Sequence, residues 1–226
     1  MNVEIEHRPG SAAAKVRLNG GETCVAEGGA MIAMSSDISV ETTTRQREKG
    51  GILSAAKRLL GGESMFLNHF TAGPSGSDLW LSTDLPGDMM TLELGNETLM
   101  VQAGSWVACE DSVDLDVSWQ GMKSLFGGEG FFWLRLTGPG RVIVNSFGAF
   151  YPIEVSGEYV VDTGHIVAFQ ETMDYSVTKA AGGWMSSILG GEGLVCRFQG
   201  PGKVWAQTHC PPTFGRTLGP MLKPRD

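Results

Sequence analysis

The chain has 226 residues, 42% of them hydrophobic and 32 of them glycine, with a formal net charge of −8. A chain of this length buries roughly 70% of its unfolded surface, and its glycine excess favours tight turns over long helices. The acidic balance disfavours general binding to phosphate backbones, and no apolar run approaches the roughly 20 residues of a membrane span.

In chain order, the opening "MNVEIEHRPGSAAAKVRL" lacks the basic-then-apolar order of a signal peptide. Its last four letters, "KVRL", alternate as a half-buried strand does. "NGGETCVAEGGAMIAM" (Asn19–Met34) follows, then Asp37 and Val40. The segment "GGILSAAKRLLGG" places Ile52, Leu53, Ala56, Leu59 and Leu60 at helical spacing before a glycine pair, which predicts a connector of one to three helical turns. "MFLNHFTAGPSGSDLWL" then reads as strand, turn and strand, a β-hairpin.

The same order returns twice. "TLEL", "GNETLMVQAGSWVAC", Asp114, Val117, the connector "SWQGMKSLFGG" and "FFWLRLTGPGRVIV" form the second series. "PIEV", "SGEYVVDTGHIVAF", Asp174, Val177, "AGGWMSSILGG" and "LVCRFQGPGKVWA" form the third. Gly29, Gly104 and Gly164 match, as do Ala33, Ala108 and Ala168. The corner words "LLGGESMF", "LFGGEGFF" and "ILGGEGLV" stand at equivalent places. Such order implies tandem triplication of a β unit of about 60 to 75 residues. The boundaries read are 1–90, 91–151 and 152–214, with a patternless tail, 215–226, expected to be extended or mobile.

The threefold corner, with the Gly-Pro-Gly turns, resembles a conserved bacterial and archaeal family related to the mitochondrial biogenesis Aim proteins, of the TRAP-like superfamily. The likeness runs from Val3 to Phe214. It implies an all-β fold of three TRAP-like β-sandwich repeats around a pseudo-threefold axis, with short helical connectors. It implies no catalytic residues. Mitochondrial relatives are linked to inner-membrane organisation, a hint only.

Chemistry is sparse. The "GGEG" corners lack the Lys-Ser/Thr of a phosphate loop. No GxSxG is present, and His7, His69, His165 and His209 have no evident triad partners. His165 reads as a hydrogen-bonded or surface residue, and the His209–Cys210 neighbours alone do not make a zinc site. Cys24, Cys109, Cys196 and Cys210 show no CxxC spacing, and three of them lie in apolar runs as small buried hydrophobes. No catalytic residue, cofactor or metal is assigned. Glu63, Glu129 and Glu192 share one repeat position. They either converge on a hard cation through oxygen or cap backbone donors of their own corners. The second reading is preferred, because three uncompensated buried carboxylates are costly.

Arg141 and Lys203 follow the Gly-Pro-Gly turns, and Arg135 and Arg197 precede them, whereas the first series offers Ser77 and Asp78. That breaks a threefold RNA-binding pattern, so solvated strand-face charges are expected. The connectors carry Leu53, Leu59, Leu60, Met122, Leu125, Phe126, Trp184, Met185, Ile188 and Leu189. These are either core or, grouped by symmetry, an apolar patch for a partner or membrane. The expectation is a cytoplasmic, homo-oligomeric, non-enzymatic scaffold or interaction protein, with a protein partner or membrane surface as further contact and no nucleic acid. A TRAP-like RNA-binding module, or a small-ligand or cation-binding protein, is the alternative.

Overall fold

The computed structural model describes residues 1–43, 66–116, 133–179 and 194–223. The described strands run β1 (Asn2–Glu6), β2 (Ala13–Leu18), β3 (Thr23–Glu27), β4 (Met31–Met34), β5 (Ser39–Thr43), β6 (Leu67–Thr71) and β7 (Ser77–Leu81). Next come β8 (Met89–Leu94), β9 (Leu99–Gln102), β10 (Trp106–Glu110), β11 (Asp114–Asp116), β12 (Trp133–Thr137) and β13 (Gly140–Asn145). The last are β14 (Phe150–Val155), β15 (Glu158–Asp162), β16 (Ile166–Gln170), β17 (Asp174–Lys179), β18 (Leu194–Gln199) and β19 (Gly202–Gln207), followed by helix α1 (Pro211–Leu218). The protein is predominantly β.

The strands form four sheets, ordered β1-β2-β7-β4, β5-β6-β3-β10-β13-β8, β11-β12-β9-β16-β19-β14 and β15-β18-β17. All the strand pairings are antiparallel. β2-β7-β4, β8-β13-β10 and β14-β19-β16 share one order, and β3-β6-β5, β9-β12-β11 and β15-β18-β17 share another. Two junctions join these sets: Ala108 faces Ala26 where β10 meets β3, and Ala168 faces Val101 where β16 meets β9. β4 and β15 are outer strands and are not hydrogen-bonded to each other.

The hairpin expectation is corrected. Strands flanking each Gly-Pro-Gly turn do not pair with one another: β12 pairs with β9 and β11, while β13 pairs with β10 and β8. β6 and β7, and β18 and β19, separate in the same way. Each turn therefore carries the chain from one sheet to the next. Gly138 (φ +95°) and Gly140 (φ +147°) take backbone conformations closed to most side chains, and a Cβ on Gly138 would meet Ser112 O at 2.9 Å. A two-residue turn inside one sheet would need no such approach. Sequence alone does not separate the two, because both demand apolar strands around turn glycines.

Alternation explains the packing. In β2, Ala14, Val16 and Leu18 point inward and are fully buried. Three apolar clusters result, centred on Phe70, Leu79 and Leu81; on Trp106, Leu134 and Leu136; and on Phe169, Phe198 and Val204. Around Phe169, Trp133, Phe198 and Tyr175 pack edge-on at 4.8–5.1 Å between ring centres.

The chain end also departs from expectation. Residues 215–218 continue helix α1, and Gly219–Met221 add a 3-10 turn. Pro211 and Pro212 suit the first helical turn, where no amide partner is needed. Phe214 anchors the helix on Phe147, ring centres 5.3 Å apart.

Candidate functional site

The two outer strands β4 and β15 carry the site. In the set β4, β10 and β16, the inner members are buried along almost their whole length: Val107, Ala108, Val167, Ala168 and Phe169 have no exposure. Their counterparts on β4 are open: Met31 is 40%, Ile32 55% and Met34 39% exposed. In the set β3, β9 and β15, Val25 and Met100 are buried, while their counterpart Val160 is 42% exposed and so is its neighbour Tyr159. Residues patterned for an inner strand thus stand at an edge.

The backbone of β4 is built like its inner counterparts. The register shift between Met31 and Ala33 against β7 recurs between Trp106 and Ala108 and between Ile166 and Ala168. Directly beyond, Ser35 Oγ accepts from Asp78 N (3.0 Å), Glu110 Oε2 from Arg141 N (2.9 Å) and Gln170 Oε1 from Lys203 N (2.8 Å). The three acceptors differ chemically and do one job. Each holds the amide of the second residue of the strand after the turn.

The turn cations are all engaged. Arg141 meets Glu93 (2.5 Å), Lys203 meets Glu154 (2.6 Å), Arg135 meets Glu171 (2.8 Å) and Arg197 meets Glu158 (2.9 Å). Arg141 and Lys203 sit directly across a strand pair from their partners. The carboxylates hold the Arg141 and Arg135 guanidinium groups above their usual range, chiefly through hydrogen bonding. Three of these pairs join residues of hydrogen-bonded strands, while Arg135 reaches Glu171 just past the end of β16.

His165 hydrogen-bonds Gln207 O through Nδ1 (2.8 Å), and His209 Nδ1 contacts Thr208 Oγ1 (3.0 Å). Cys24, Cys109 and Cys196 are buried, and all four cysteines are free thiols. Burial pushes Cys24 and Cys196 up to about 12. Among the described residues no group of three or more metal-ligating side chains occurs, and no described helix is long and apolar enough to cross a membrane. A shallow cleft between β8 and β19 is lined by Glu93, Glu97, Gln170, Lys203 and Trp205. Its polar groups are already partnered, Gln170 Nε2 with Glu97 at 2.7 Å and Glu93 with Arg141.

The predicted connector residues Leu53, Leu59, Leu60, Met122, Leu125, Phe126, Trp184, Met185, Ile188 and Leu189 lie outside the described residues. So do Glu63, Glu129 and Glu192. The edges were missed because "MIAM" and "EYVV" have the same apolar pattern as their paired counterparts. Only the strand order reveals that no described strand pairs with their outer edges.

A family model described as mitochondrial biogenesis AIM24 matches residues 3–209. The chain belongs to that family. An uncharacterised protein of Streptococcus pyogenes serotype M6 is 30% identical over 210 residues, spanning 90% of this chain and 84% of that one. The AIM24-family chain also matches the crystal structure of protein SPYM3_0169 from Streptococcus pyogenes, with TM-score 0.81 and 26% identity over 98% of this chain and 99% of that one. The family is therefore the one that the corner and turn words resemble.

Proposed function

We propose that this AIM24-family protein is a non-enzymatic scaffold that assembles with copies of itself, built from three tandem β repeats at 1–90, 91–151 and 152–214. The matched strand orders, the recurring register shift and the shared role of Ser35, Glu110 and Gln170 support the triplication. The observation that carries the scaffold reading is the pair of exposed apolar strand edges, β4 and β15, each without a strand partner among the described residues. Both are short, four and five residues, yet their outward apolar side chains and open backbone groups offer a template for pairing with another chain. The described polar groups are spent on cross-strand pairs rather than converging in a pocket, which favours a scaffold over an enzyme. Four free thiols fit a reducing, cytoplasmic setting.

TRAP-like RNA binding is the second reading, favoured by the repeated turn cations. Pairing of Arg141, Lys203, Arg135 and Arg197 with carboxylates argues against it, as does the net charge of −8. Sedimentation velocity on the full chain over a concentration series, alone and with single-stranded RNA or anionic liposomes, tests the choice. The scaffold reading expects growth in mass without additives. A chain that stays single and gains mass only with RNA contradicts it.

A further inference from the structure

The geometry points to one contact between copies: β15 of one chain pairs antiparallel with β4 of the next, head to tail. This rests on the assembly reading above and names its surface. Of the strands matched with β10 and β16, β4 is the outer one, and of those matched with β3 and β9, β15 is the outer one. The two junctions inside the chain, β10 on β3 and β16 on β9, therefore serve as templates for a third.

The templates fix the register. Ala108, Cys109 and Glu110 face Ala26, Val25 and Cys24, and Ala168, Phe169 and Gln170 face Val101, Met100 and Leu99. Aligning the chain on Gly29, Gly104 and Gly164 transfers this pairing to Ala33 with Val161, Met34 with Val160 and Ser35 with Tyr159. Slipping by one residue would turn every side chain to the wrong face, so the register is specific.

The polar requirements fit as well. At the first junction Glu22 and Glu110 both bind the Met1 ammonium, and at the second Gln170 donates to Glu97 at 2.7 Å. The matching positions at the third are Ser35 and Gly157. No carboxylate is buried there, and no bridging cation is needed. Neither edge carries lysine or proline, and Tyr159, Val160 and Val161 form an uncharged centre in β15. The partner is thus a second copy of this chain. The four-stranded sheet β1-β2-β7-β4 of one copy would join the three-stranded sheet β15-β18-β17 of another. Because the two edges differ, the contact is heterologous and propagates to a ring or a filament.

Facing residues of an antiparallel pair lie about 4.5–5.5 Å apart at Cα, within disulfide reach. The test uses the full chain with Cys210→Ser, carrying either Met34→Cys or Val160→Cys. On mild oxidation, a mixture of the two variants is expected to give a covalent dimer far exceeding that from either variant alone. A chain carrying both cysteines should give a ladder of multimers. Val160→Lys should lower the sedimenting mass at least twofold while leaving the circular dichroism of the β fold unchanged. A doubly substituted chain that links only within itself, at single-chain mass, overturns the contact in favour of closure inside one molecule. If the protein sediments as a multimer but the mixed variants do not link, the contact is overturned while the scaffold reading stands.

Discussion

Arg17 and Asp78 face each other across β2 and β7, joined by two hydrogen bonds of 2.9 and 3.2 Å. At the matching places Glu93 faces Arg141 and Glu154 faces Lys203. The same cross-strand ion pair is therefore made with its charges exchanged. The departure of Asp78 from the basic residues in the other two series is compensated by Arg17 on the neighbouring strand.

That exchange makes a charge-swap experiment decisive. Asp78→Arg places like charges directly opposite and should lower the melting temperature. Adding Arg17→Asp should restore it, with the effect shrinking in high salt, because the pair is exposed. Equal melting temperatures for the single and double variants would show that the pair does not couple.

Glu27, at the end of β3, predicts a pH dependence. Burial, and then the nearby Asp84 carboxylate, pushes its carboxyl up to about 7 from the ordinary 4.5. Below about pH 4.5 it is neutral in both folded and unfolded chains. Between those values the folded chain keeps a proton that the unfolded chain releases, so stability falls as pH rises. Above about 7 the full cost of a desolvated carboxylate is present. Glu27→Gln should stabilise the protein at pH 8 by on the order of 2 kcal/mol, and the gain should vanish near pH 4.5. Urea denaturation at the two pH values measures it; a gain independent of pH contradicts the assignment.

Asp88 ties the loop after β1 to the start of β8. Its buried carboxylate accepts from Arg8 at 2.7 and 2.8 Å and from Met89 N at 2.8 Å. Removing an acceptor that serves both a guanidinium and an amide leaves donors unsatisfied. Asp88→Ala should cost about 2–3 kcal/mol in urea unfolding, and Arg8→Ala less, because the Met89 contact survives. Equal losses would place the whole effect in the ion pair.

Thiol chemistry checks the core. Burial raises Cys24 and Cys196 to about 12 and lifts Cys109 well above its ordinary value. Their thiolates are scarce and shielded. Cys210 is the one half-exposed thiol. A thiol reagent should label one site quickly and the other three only as the chain unfolds. Cys24, Cys109 and Cys196 lie one in each apolar cluster, so two or more rapid labels would contradict the packing of at least one of them.

Much of the fold was legible in the residues. Alternation in "KVRL", "TLEL" and "PIEV" marked strands β2, β8 and β14, and the glycine-alanine alignment matched β4, β10 and β16 before any pairing was known. The turn glycines were also visible. Their consequence was not, because a sheet-to-sheet corner and a hairpin use the same letters. Helix α1 escaped because its stability comes from prolines at its start and the Phe147–Phe214 contact, not from an apolar stripe facing a core. The exposed edges escaped for a deeper reason. Met34 and Val160 have the same apolar character as Cys109 and Met100, their buried counterparts, and exposure depends on which neighbour is present.

Amide hydrogen exchange of the full chain at low and high protein concentration tests the assembly most directly, because it reads strand pairing residue by residue. Amides in Met31–Met34 and Glu158–Asp162 that point outward from β4 and β15 have no strand partner among the described residues of one chain. They should exchange quickly in dilute protein and slow at least tenfold as copies associate, while those of β10 and β16 stay protected throughout. Rapid exchange of both edges at every concentration would contradict the account.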